Sequence, residues 1–186
     1  MPLETRAPRL GIRTEAAPRN RPSSAFCMPI EVKSEGEATL FVDMCAAYEP
    51  LDADVQARVS GLTGLHRHGA GHFGTMFENP LDDHQDEDSV YAVHPVVKVH
   101  PVSGKRALYL NETHSRRFRE LEPTESVQLL SRLVVHAARP DNTYVHDWSV
   151  GDLLIWDQRS TIHWAAGDFP PDQQRVKVRA IVEEFE

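Results

Sequence analysis

Residues 148–179, WSVGDLLIWDQRSTIHWAAGDFPPDQQRVKVR, limit what this chain can fold into more than any other stretch. Val150-Gly151-Asp152 is a turn signal, and the LLIWD run after it is apolar and of strand length. A tight turn, a short strand carrying His163, a polar loop and a last strand complete the block. In that last strand Arg175, Lys177 and Arg179 alternate with Val176, Val178 and Ala180. A period of two puts the cations on one face and the aliphatic residues on the other. One histidine facing a row of cations suits a metal beside a dianionic ligand.

The rest of the chain supplies elements to surround that block. Thr39 to Asp43 reads as a strand leading into a short helix over 44–49. Asp52 is placed to N-cap a second helix, with Val55, Val59 and Leu62 spaced for one buried face. Residues 64–90 are rich in His and Gly and hold six carboxylates between Glu78 and Asp88, which suggests a mobile surface loop or lid. Strands are expected over 90–100 and 107–111, joined by the Pro101-Val102-Ser103-Gly104 turn. A helix starts at Pro123 and runs to about Ala138, with Val127, Leu130, Val134 and Ala137 inward and Pro140 beyond its end. Short strands, a few helices and Gly/Pro turns together suggest a mainly β fold, a jelly-roll-like core with flanking helices.

Residues 1–24 differ: five arginines, four prolines and little apolar periodicity give an Arg/Pro-rich, disordered or loop-rich arm over 1–21 ahead of one domain over 22–186. A net charge of −8 argues against a general nucleic-acid binder. No apolar run reaches the length of a membrane span, and no signal-peptide core is visible. Cys27 and Cys45 could form at most one disulfide and have no metal-type spacing. The expectation is a cytoplasmic protein with free thiols, acting on a small molecule, with homo-oligomerisation left open.

Three segments, in order, carry a resemblance: GEATLFVDMCAAY over 36–48, HPVVKVHPVSGKRALYLN over 94–111, and the C-terminal block. Together they resemble the TauD/TfdA family of Fe(II)- and 2-oxoglutarate-dependent dioxygenases, whose pattern ends in W-x-x-G-D-x-x-I-W-D-N-R-x-x-x-H and a late arginine pair. The likeness covers roughly residues 22–183. It implies a double-stranded β-helix, here a partial one short of the family's N-terminal third. It also implies Fe(II), 2-oxoglutarate as co-substrate, and hydroxylation of a small anionic organic substrate with release of succinate. By the same resemblance His163 is the distal metal ligand, Thr39 and Arg175 hold 2-oxoglutarate, and Arg179 meets an acidic group of the substrate. Asp157 and Arg159 match positions that look architectural.

The family's early W-H-x-D falls, by counting, on Ile12-Arg13-Thr14-Glu15. Glu15 could ligate iron; Arg13 stands where the first histidine belongs and offers no lone pair. This departure opens the alternative of a catalytically impaired member, a pseudoenzyme or truncated gene product that keeps the fold and binds iron poorly. His66, His68 and His72 read as solvated loop histidines, and His84-Gln85-Asp86 is a His-x-Asp in the wrong order for the family. His94 and His100 fall in segments used for strand pairing. His114, His136 and His146 have no partner assignable from sequence.

Overall fold

The computed structural model describes residues 23–31, 38–67, 91–111, 114–166 and 176–182. In chain order the strands are β1 (Ser24–Glu31), β2 (Thr39–Asp43), β3 (Thr63–His66), β4 (Ala92–Pro95), β5 (Val97–Val99), β6 (Arg106–Leu108), β7 (Ser115–Phe118), β8 (Thr143–His146), β9 (Leu154–Asp157), β10 (Thr161–Ala165) and β11 (Val176–Val182). Helices α1 (Met44–Tyr48), α2 (Ala53–Ser60) and α3 (Pro123–Ala137) lie among them. Two antiparallel sheets, ordered β11-β1-β9 and β10-β2-β8, form the walls of a jelly-roll core. A third sheet, β4-β3-β7, and the β5–β6 hairpin stand beside them.

Strand alternation gives the β10-β2-β8 wall two different faces. Val42 and Ile162 are register partners, 0% and 3% exposed, and join a core built with Met44, Val59, Leu130 and Leu133 from the three helices. Each such side chain contributes about 1.5–3 kcal/mol by leaving water. Their neighbours Phe41 and His163, also register partners, turn the other way, toward the β11-β1-β9 wall.

Local chemistry sets the joints. The Asp43 carboxylate accepts the backbone N–H groups of Cys45 (2.8 Å) and Ala46 (3.1 Å), which ends β2 and starts α1 at once. Asp52 occupies the N-cap position of α2, but its side chain makes no capping bond there. Val59 and Leu62 are buried as expected, and Val55 is half-buried. In α3 Leu130, Val134 and Ala137 are buried as expected, Leu129 and Leu133 join them, and Val127 is only half-buried. Ser126 is fully buried because its Oγ accepts the Phe118 N–H at 2.6 Å, fixing the helix to β7.

One loop expectation and one strand expectation need correction. Residues 64–66 are strand, since β3 pairs with β4 on one side and β7 on the other. The expected lid over the following residues, with His68, His72 and His84, lies outside the described residues, as does the arm over 1–21. The strand expected over 90–100 is split at Val96, which is fully buried with its N–H on the Leu62 carbonyl (3.0 Å). The turn after it closes on Gly104, whose φ of +71° a side chain would resist.

Candidate functional site

On β11 the predicted alternation is present. Val176 and Val178 are on the outer side, 39% and 49% exposed, where Val178 pairs with exposed Met28. Lys177 and Arg179 share the other side with their register partners Pro29 and Cys27, both buried. Of the two cations only Lys177 has its charged atom sealed from solvent; the Arg179 side chain remains accessible.

Aromatic rings fill the space between the walls. The Trp156 ring of β9 lies 4.9 Å from the His163 imidazole and 5.2 Å from Phe41, and Phe41 stacks on His163 at 5.8 Å with 22° between planes. The Arg179 guanidinium sits 5.8 Å over the Trp156 ring, so one indole bridges the arginine and the histidine. At the other end, Thr39 is 6% exposed and its Oγ1 accepts the Trp148 indole N–H at 2.8 Å. Lys177 Nζ lies 4.1 Å over the Trp148 ring.

Polar networks hold the turns that frame these residues. Asp157 accepts the Arg159 backbone N–H (2.8 Å), its Nε (3.0 Å) and Nη2 (2.6 Å), and His100 Nε2 (2.9 Å). Partial burial works against this carboxylate, but the bonds from Arg159 and His100 outweigh it and hold its pKa far below the usual range. His100 Nδ1 accepts the N–H groups of Val102 (3.3 Å) and Ser103 (3.1 Å), so Nε2 carries the proton given to Asp157. The β9–β10 turn is thereby tied to the Pro101–Gly104 turn. On the other side His146 Nε2 meets the Asp152 carboxylate at 3.0 Å, and that same oxygen accepts the Ser149 N–H at 2.8 Å.

The remaining histidines have partners that the sequence did not disclose. His136 donates to the Ala47 carbonyl (2.9 Å), and His114 meets the Asn111 side chain (3.1 Å). His66, expected to be solvated, is only 9% exposed: Ser115 Oγ lies 3.3 Å from its Nδ1, and the rings of His94 and Tyr109 pack at 5.6 and 5.7 Å.

Of the residues predicted for the site, the fold brings His163, Thr39 and Arg179 to the space between the two walls; Glu15 and Arg175, like Arg13, lie outside the described residues. Trp148 and Phe41 were missed as lining residues; Phe41 carried a signal, its shared parity with Thr39, and Lys177 stood on the cation face without a role. A facial iron site needs two histidines and a carboxylate. His163 has the chemistry of one such ligand. Among the described residues no group of three or more His, Cys, Asp or Glu could hold a metal. Among them too, no helix is long and apolar enough to cross a membrane.

Comparison with known proteins agrees with this geometry. Residues 14–181 match the profile of the taurine catabolism dioxygenase TauD, TfdA family. The chain is 35% identical over 188 residues to pentalenolactone F synthase of Streptomyces arenae, covering 95% of this chain and 62% of that protein. It is 36% identical over 139 residues to the (S)-phenoxypropionate/alpha-ketoglutarate-dioxygenase of Sphingobium herbicidovorans, covering 72% of this chain and 48% of that protein. A crystal structure of a taurine dioxygenase from Burkholderia xenovorans superposes with a TM-score of 0.75 at 30% identity, covering 89% of this chain and 55% of that one. The chain therefore spans about half to two-thirds of the length of the proteins it matches. With the profile covering nearly all of the chain and the jelly-roll walls in place, the chain belongs to the TauD/TfdA family.

Proposed function

We propose that residues 22–186 form the part of a 2-oxoglutarate-dependent dioxygenase that carries the distal metal histidine and the oxo-acid cradle, acting on a small anionic organic substrate. The observation that supports this best is the meeting of His163, Thr39 and Arg179 across one aromatic-lined space between facing sheets. His163 is the metal ligand, its ring held by Phe41 and Trp156, which also keep water from its flanks. Thr39 donates its O–H to the distal carboxylate of 2-oxoglutarate, and Arg175 pairs with that carboxylate through two parallel hydrogen bonds. Arg179 receives the acidic group of the substrate; its accessibility and its place over Trp156 suit a group that arrives from solvent. Glu15 is the carboxylate ligand on this reading. Bound Fe(II) would supply oxygen activation, coupling decarboxylation of the oxo acid to substrate hydroxylation.

Arg13 favours a second reading. A guanidinium at the first ligand position has no lone pair and repels a cation, so the chain would keep the fold and hold iron poorly. Anaerobic titration with Fe(II) and 2-oxoglutarate, followed through the visible band of the chelated metal, separates the two. A saturable band that disappears in His163→Ala is the result expected for a working site. Folded protein without a band supports the impaired member.

A further inference from the structure

Strand β1, SAFCMPIE, is apolar on both of its sides. Ala25, Cys27 and Pro29 are buried toward the space between the walls, and the alternate residues Phe26, Met28 and Ile30 turn to the outer face. A sheet with one face in water ordinarily alternates apolar with polar residues, whereas strands apolar on both sides belong to sheets covered on both. The neighbouring strands extend the pattern. On β11 Val178 pairs with Met28 and Ala180 with Phe26, and on β9 Ile155 pairs with Phe26 from the other side. The resulting face includes Met28, Ile30, Ile155, Val176, Val178 and Val182, all between 38% and 60% exposed. Together they leave about 500 Å² of apolar surface in water, at the upper end of the largest patch on an ordinary monomer.

Area and chemistry favour one occupant. Two such faces set together would bury about 1,000 Å², which is where specific interfaces begin. The rows Ile155–Phe26–Ala180 and Met28–Val178 hold no ionisable group, and Asp157, which borders the face opposite Ser24, is engaged by Arg159 and His100. A face without free charge has little with which to select a foreign partner. A two-fold contact sets the same patch against itself and needs only apolar surface on both sides, the composition typical of homodimers. We propose that the outer face of the β11-β1-β9 wall is a docking surface for a second copy of this chain, packed sheet on sheet about a two-fold axis. This is independent of the reading of the site between the walls.

The test is analytical ultracentrifugation of the full chain from about 1 to about 200 μM, and the mass is expected to rise from one chain to two within that range. Val178→Lys and Ile155→Lys, each of which would place an unpaired ammonium in the contact, are expected to weaken association at least about tenfold. Val99→Lys, at a position 63% exposed on β5 and away from this face, is expected to leave it unchanged. Should circular dichroism show that a lysine variant fails to fold, Val178→Thr, which keeps the side-chain shape and adds one hydroxyl, is expected to weaken association about threefold. A single chain at the highest concentration would overturn the proposal. A dimer indifferent to both Val178→Lys and Ile155→Lys would also overturn it by placing the contact elsewhere, and growth beyond two copies would contradict a closed two-fold contact.

Discussion

Asp157→Asn should loosen the turn that delivers His163. The native carboxylate accepts three donors from Arg159 and one from His100, all between 2.6 and 3.0 Å. Asparagine keeps one acceptor oxygen and points its amide N–H₂ at Arg159 or at His100, both of them donors. Charge-assisted bonds contribute about 1.5–3 kcal/mol net, and with the side chain 31% exposed a loss of about 2 kcal/mol is expected. That corresponds to a fall in Tm of about 4–8 °C for a domain of this size. The pH dependence has a definite sign. Because the folded pKa of Asp157 is depressed, its stabilisation is fully present above the unfolded value, about 3.9, and is lost as pH falls through the lower folded value. Urea unfolding followed by far-UV circular dichroism should show a gap between wild type and variant that is constant from pH 7 to pH 5 and narrows below about pH 4. A gap under about 0.5 kcal/mol at pH 7 would mean the network holds nothing in place, since surface changes without such partners are that small. A gap that widened on acidification would have the wrong sign for a depressed carboxylate.

Two further substitutions probe the packing behind the site. Ser126→Ala removes the only side-chain acceptor shown for the Phe118 N–H and leaves that donor buried, costing about 1–3 kcal/mol in urea unfolding; a neutral result would mean the α3–β7 joint is held by apolar contact alone. Gly64→Ala would place a Cβ 2.8 Å from His66 Nε2, so a loss of about 1–3 kcal/mol is expected, and His66→Ala in the same chain should recover part of it. Additive losses in that double-mutant cycle would refute the contact.

The strand–helix order around β2, α1 and α3 was readable because each element carries its own period and its own punctuation: Asp43 at one joint, Pro123 at another. Strand β3 was not readable. Its four residues, TGLH, have no alternating pattern, and they are extended because β4 and β7 pair with them from both sides, a tertiary effect. The burial of His66 follows from the same pairing and was hidden with it. At the site, the place of His163 followed from its motif, whereas the Trp148–Thr39 bond joins residues 109 apart in sequence and leaves no local trace. The alternation along β11 was legible, and the sequence reading already turned its cation side inward to face the histidine. The ordinary rule would have buried Val176 and Val178. Instead they are 39% and 49% exposed beside Met28 and Ile30, while Lys177 goes inside. An aliphatic side turned outward and an ammonium turned inward are the reverse of ordinary packing. Such an arrangement is expected where the inner face serves a ligand's charge, and on that ground the proposed binding site between the walls rests on Lys177 and Arg179 as well as on His163.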